Sequence, residues 1–130
     1  MTDKPIALIS GAAQGIGLAC AEALSEDGFK VILADLKDTV MAQADRLGGA
    51  GYICDFGDME AINRLFDTIE AEHGPVSALV NNAGIAMPGD FLGYDLEAFD
   101  AVMNVNLRGV FIATQRAART MVEKGIEGSV

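Results

Sequence analysis

The sequence predicts an α/β fold built on a doubly wound parallel sheet, and three observations carry that prediction. Short apolar runs alternate with amphipathic stretches along the chain. Glycines and acidic residues punctuate the changeovers. The first apolar run leads directly into the glycine-rich turn Ser10-Gly11-Ala12-Ala13-Gln14-Gly15-Ile16-Gly17. Strands that read as unbroken apolar runs, separated by helical segments, are the pattern of a parallel sheet covered on both faces with right-handed crossovers. With 130 residues, 51% of them hydrophobic, and no low-complexity tract, residues 1–130 read as one domain, burying roughly 65% of its unfolded surface.

Ile6-Ala7-Leu8-Ile9 is the first strand. After the glycine turn, Ile16, Ala19, Cys20, Ala23 and Leu24 recur at helical spacing, and Gly28 stands where a left-handed cap is wanted. Lys30 to Asp35 is a second strand. Val40, Met41, Ala44 and Leu47 mark a second helix ended by Gly48-Gly49, and Gly51-Tyr52-Ile53-Cys54 a third strand. Asp58 caps a third helix, which carries Met59, Ile62, Phe66 and Ile69 on one face and stops at Gly74-Pro75. Ser77-Ala78-Leu79-Val80 forms a fourth strand.

Residues 84–94 are loop-like. Asp95 then caps a helical region with Phe99, Val102, Met103, Val110, Phe111, Thr114, Ala118 and Met121 inward, ended by Gly125. Glu127-Gly128-Ser129-Val130 reads as the start of a fifth strand, so the sheet is expected to be truncated there and the domain incomplete, with an open edge.

Composition narrows the function. Nineteen acidic residues against nine basic give a net charge of −10, which disfavours nucleic acid and anionic membranes as partners. No segment resembles a signal peptide or a membrane span, so a cytoplasmic location is expected. Cys20 and Cys54 lack C-x-x-C spacing and read as small buried hydrophobes, and with the single histidine they make no metal site. His73, before Gly74-Pro75, reads as an exposed helix-end cap. G-x-S-x-G and G-K-[ST] are both absent, against an α/β-hydrolase nucleophile and a P-loop.

The chemistry sits at the strand ends. Glycines in the first turn let backbone approach a pyrophosphate that faces the positive end of a helix dipole, so a dinucleotide is the natural ligand. The spacing G-x-x-x-G-x-G departs from G-x-G-x-x-G, and context must supply the rest. Asp35 follows the turn by about 20 residues, where a carboxylate accepts from both hydroxyls of an adenosine ribose. It would repel an added 2′-phosphate by up to about 4 kcal/mol per unit charge at an effective dielectric of 20. NAD is therefore favoured over NADP. Neither Gln14 nor Leu36 offers an offsetting positive charge, although Lys37 lies near. Asp55 ends the third strand, placed either to accept from an adenine amino group or to cap the following turn. Asn81-Asn82-Ala83-Gly84 ends the fourth at the carboxyl edge, where open α/β sheets bind ligands.

A methyltransferase shares the glycine turn and the acidic residue, but Asn81-Asn82-Ala83-Gly84 argues against binding of S-adenosylmethionine. The set Ser10 to Gly17, Asp35, Asp55, Asn81 to Gly84 and Asn104-Val105-Asn106-Leu107-Arg108-Gly109 resembles the short-chain dehydrogenase/reductase family across essentially the whole chain. The resemblance implies a Rossmann fold and an NAD-dependent oxidoreductase moving hydride between nicotinamide and a secondary alcohol or ketone. Ser10, standing where the family usually has threonine, would support the turn. Gly11, Gln14, Gly15, Ile16 and Gly17 would hold pyrophosphate and ribose, with Asp35 and Leu36 at the adenosine ribose. Asp55 and Phe56 would meet the adenine, and Asn82, Ala83 and Gly84 would lie toward the nicotinamide ribose. Asn81 would brace the sheet.

Asn106 matches the family's catalytic asparagine, at which a helix irregularity exposes a backbone carbonyl that holds a water in the proton relay. The family's catalytic serine and Tyr-x-x-x-Lys pair have no counterpart among these residues. Tyr52 and Tyr94 are the only tyrosines, and four residues on stand Phe56 and Ala98. The 130 residues alone are thus expected to be inactive, at most a non-catalytic NAD-binding module. By the same resemblance, residues 95–124 would pack against a second subunit in a homodimer or homotetramer, and of the substrate-facing residues only 86–94 fall here.

Overall fold

The computed structural model describes residues 3–130. Four strands, β1 (Ile6–Ser10), β2 (Lys30–Asp35), β3 (Ala50–Ile53) and β4 (Val76–Val80), form a wholly parallel sheet in the order β3-β2-β1-β4. Between them run α1 (Gly15–Glu26), α2 (Val40–Arg46) and α3 (Met59–Glu72). Then α4 (Leu96–Met103), a π-helical turn Asn104–Gly109 and α5 (Val110–Lys124) follow as one nearly continuous rod.

Alternation within β1 divides the core. Ala7 and Ile9, with Val31 and Leu33 of β2, face Ala12, Ala13, Ala21, Val40 and Ala44 on the α1/α2 side. Ile6 and Leu8, with Ile32 and Ala34, face Ile62, Leu65, Phe66 and Ile69 of α3 and Ala113, Ala117 and Met121 of α5. Burying each large aliphatic or aromatic side chain contributes about 1.5–3 kcal/mol. A doubly wound parallel sheet is the result, as its strand pattern predicts.

The expected stops hold. Gly28 (φ 95°) and Gly125 (φ 64°) adopt the left-handed conformation that a side chain would strain. Asp58 accepts from the backbone N–H of Glu60 and Ala61, and Asp95 from that of Glu97. On the outer side of β4, Ser129 makes an isolated parallel bridge to Ala78, where the start of a fifth strand was expected.

Several faces differ from the sequence reading. In α1 the buried residues are Gly17 and Ala21, while Ile16 is 77% exposed and Ala19 and Ala23 face solvent. Leu18, Cys20 and Leu24 of that helix are partly buried against the core on the same side. Met41, Met59, Phe99 and Phe111 are likewise exposed rather than inward. Cys54 is buried, but Cys20 only half so.

His73 is the C-cap of α3, as expected, but not an exposed one. Its side chain is 13% exposed, and its ring meets Tyr52 edge-on at 6.1 Å. Arg116 of α5 sits over the Phe66 ring and donates to Asn63, Asp67 and Glu70, tying α5 to α3.

Candidate functional site

All four strands point their carboxyl ends at one cleft of about 740 Å³. It opens beside β1 and β4, where successive crossovers leave to opposite faces of the sheet, the position at which open α/β sheets bind ligands.

The glycine turn forms its floor. Gly11 (φ 65°) and Gly15 (φ 62°) need left-handed backbone, and a methyl group on Gly11 would lie 2.8 Å from Asn82 Nδ2 and 3.1 Å from Ala83 Cα. At Gly15 no atom lies within 4 Å of such a methyl, so that side is open. A methyl on Gly17 would overlap the Gly11 carbonyl oxygen, which explains a glycine inside α1 despite its helix cost. No side chain caps the α1 N-terminus and its first turn carries no acid, whereas α3 and α4 each have an aspartate cap. Its leading N–H groups and dipole are left for something else.

Asp35 is fixed from two sides. Its Oδ2 accepts from the Ala13 N–H at 2.9 Å and its Oδ1 from the Lys37 N–H at 3.0 Å, which holds the carboxylate rigid with a lone pair spare on each oxygen. Asp55 accepts from the Gly57 N–H at 2.8 Å through Oδ1, so the turn-capping role is occupied and Oδ2 carries no partner among the described residues. Beside it the Cys54 thiol is pushed up to about 12 by burial and by the charges of Asp55 and Asp58, which leaves it an inert wall group.

A polar joint closes the other wall. The Ser10 hydroxyl, 2% exposed, accepts from the N–H groups of Asn82 (3.0 Å) and Ala83 (2.9 Å) and reaches the Val80 carbonyl at 3.4 Å. Asn82 Nδ2 donates back to the Gly11 carbonyl at 3.0 Å. Asn81 donates to Thr114 Oγ1 at 3.0 Å, bracing β4 against α5.

The break expected at Asn106 is the π-helical turn, whose wider hydrogen-bond spacing disturbs the carbonyl ladder there. Both ends of the Asn106 amide are used, Oδ1 accepting from the Ile85 N–H at 2.9 Å and Nδ2 donating to the Ile85 carbonyl at 2.8 Å.

The structure thus brings Gly11, Gln14, Gly15, Asp35, Leu36, Asp55, Phe56, Asn82, Ala83 and Gly84 to one cleft. Ser10 and Gly17 support it from behind. Ile16 and Asn106 do not line it either. Sequence reasoning missed Cys54, Gly57, Ile85, Ala101, Asn104 and Val105, and weighed Lys37 only as a doubt, though all line the cleft. Only the adjacency of Asn104 and Val105 to Asn106 could have signalled the last two. Among the described residues no helix is long and apolar enough to cross a membrane.

Comparison with known proteins agrees with this geometry. The short chain dehydrogenase family matches residues 5–130. Short-chain dehydrogenase reductase 5 of Arabidopsis thaliana is 40% identical over 98% of this chain and 51% of its own length. Carbonyl reductase (NADPH) 2 of Sus scrofa is 38% identical over 95% of this chain and 50% of its own. The 3-oxoacyl-(acyl-carrier-protein) reductase MabA of Mycobacterium bovis is 39% identical over 88% and 44%. The chain spans about half the length of these relatives. With a family match that runs from residue 5 to residue 130, the chain belongs to the short chain dehydrogenase family.

Proposed function

We propose that residues 1–130 are the dinucleotide-binding part of an NAD-dependent oxidoreductase that, in the complete protein, moves hydride between the nicotinamide and a secondary alcohol or ketone. The observation that carries this is the clamped Asp35 carboxylate beside an uncapped helix N-terminus in one cleft. The residues fit a dinucleotide. Gly15 leaves room for a pyrophosphate and Gly11, Gln14 and Gly15 line its place with backbone N–H groups, with Ile16 and Gly17 shaping the helix start behind them. Asp35 and Leu36 take the adenosine ribose, Asp55 and Phe56 the adenine, and Asn82, Ala83 and Gly84 the nicotinamide ribose. Once bound, the nicotinamide supplies the hydride acceptor or donor.

The NADPH in one relative's name is that protein's property. In this chain a 2′-phosphate would meet Asp35, and Lys37 uses its backbone rather than its ammonium to hold that carboxylate. Asn106 serves as the catalytic asparagine through the backbone of its π-turn, while its side chain holds the loop at Ile85. Free cysteines and an acidic balance suit the cytoplasm. Because these residues hold no Tyr-x-x-x-Lys pair, the non-catalytic reading applies to them taken alone.

Calorimetric titration with NAD and NADP tests the assignment. NAD is expected to bind at least about tenfold tighter, a difference of about 1.4 kcal/mol, and Asp35→Asn to narrow that gap by weakening NAD. Equal affinities would overturn the NAD preference, and folded protein binding neither would overturn the cofactor reading.

A further inference from the structure

The π-turn that carries Asn106 is wedged against the turn at residues 55–58. Gly109 is buried, and a methyl group there would overlap the carbonyl oxygen of Phe56, itself 6% exposed. Val105 Cγ2 lies 3.1 Å from where Gly57 would carry a Cβ, and Asn104 Cβ lies 3.9 Å from the same point. The helical rod therefore touches this turn at two places, each closed by a glycine. The same turn holds Asp55, which lines the cleft and accepts from the Gly57 N–H. Gly109 lies outside the cleft.

We propose that Gly109 is a positioning residue, whose close seat on the Phe56 carbonyl ties the π-turn bearing Asn106 to the Asp55 end of the cleft, so that an adenosine bound there steadies the turn. This rests on the cofactor reading above. The coupling needs no chain of intermediaries, because backbone meets backbone directly. A side chain at position 109 would prise the two segments apart and leave Asn106 indifferent to occupancy of the cleft.

Amide hydrogen exchange with ADP-ribose, in the protein as its gene encodes it, tests this. ADP-ribose is expected to slow exchange at the amides of residues 106–110, none of which lines the cleft, and Gly109→Ala to bind ADP-ribose while losing that slowing. A merely structural glycine would change exchange equally with and without ligand. Should Gly109→Ala not fold, Val105→Ala removes the contact to Gly57 without any overlap; because Val105 lines the cleft, exchange is read at ADP-ribose concentrations shown by titration to saturate the variant, and the same loss is expected. Bound ADP-ribose that slows nothing in the wild type, or slowing that survives in the folded variants, overturns the proposal. Folded wild-type protein that does not bind ADP-ribose at all overturns the cofactor reading and this inference with it.

Discussion

A single hydroxyl joins the two loops on which the cleft depends. Ser10 Oγ accepts from two backbone N–H groups at the end of β4, and both would lose their partner in Ser10→Ala. An unsatisfied buried donor costs about 1–3 kcal/mol, and these two sit on half-buried residues of the cleft wall, so the variant is expected to lower stability by about 1 kcal/mol, read as a shift in the urea midpoint at unchanged slope. An unshifted midpoint would show that other acceptors replace the hydroxyl. Sequence alone places Ser10 at the cofactor turn, but not this role. Its partners lie 72 and 73 residues away, and no local pattern announces a contact of that span.

Among the elements, the ends were legible and some faces were not. Aspartates before helices and glycines after them act locally, so Asp58, Asp95 and Gly125 stand where their chemistry implies. In α1 the burial of Gly17 escaped apolar periodicity because steric closeness to the Gly11 carbonyl, not hydrophobicity, selects that residue. At the end of α3 the surprise is chemical. The Tyr52 hydroxyl donates to Glu72 at 2.6 Å and contacts His73 Nε2 at 2.8 Å, while His73 Nδ1 is buried with no partner among the described residues. Burial, then the nearby Lys30 charge, lower the His73 pKa from 6.5, against the opposing pull of Glu72.

A histidine with a depressed folded pKa binds fewer protons than the unfolded chain, so stability rises with pH there. His73 is thus expected to cost nothing above its ordinary value of 6.5, and to erode stability as pH falls below it. Urea midpoints measured across that range should fall more steeply in the wild type than in His73→Gln. Identical slopes would remove His73 as the cause.

For the whole molecule, the cleft gathers five segments, and four of them can be found by reading strand ends. Asn104 and Val105 arrive through a helix that the sequence ties to the site only at Asn106. Along the same rod Leu96, Phe99, Leu107 and Phe111 are 75%, 49%, 60% and 64% exposed, and α4 buries none of its residues. That surface supports the subunit contact we propose for the complete protein. Light scattering should then give at least twice the mass of one complete chain, and Phe111→Glu should reduce it. A wild-type mass of one chain would sink the idea.

The strand order has a further consequence, for assembly during synthesis. β1 is flanked on one side by β2, complete by Asp35, and on the other by β4, which begins only at Val76. On a ribosome that extends the chain at about 5–20 residues per second, the innermost strand waits seconds with one edge bare. Its four apolar residues must stay shielded through that interval; α1, which follows within five residues of the strand's end, is the first element able to cover Ala7 and Ile9, whereas Ile6 and Leu8 on the other face wait for α3.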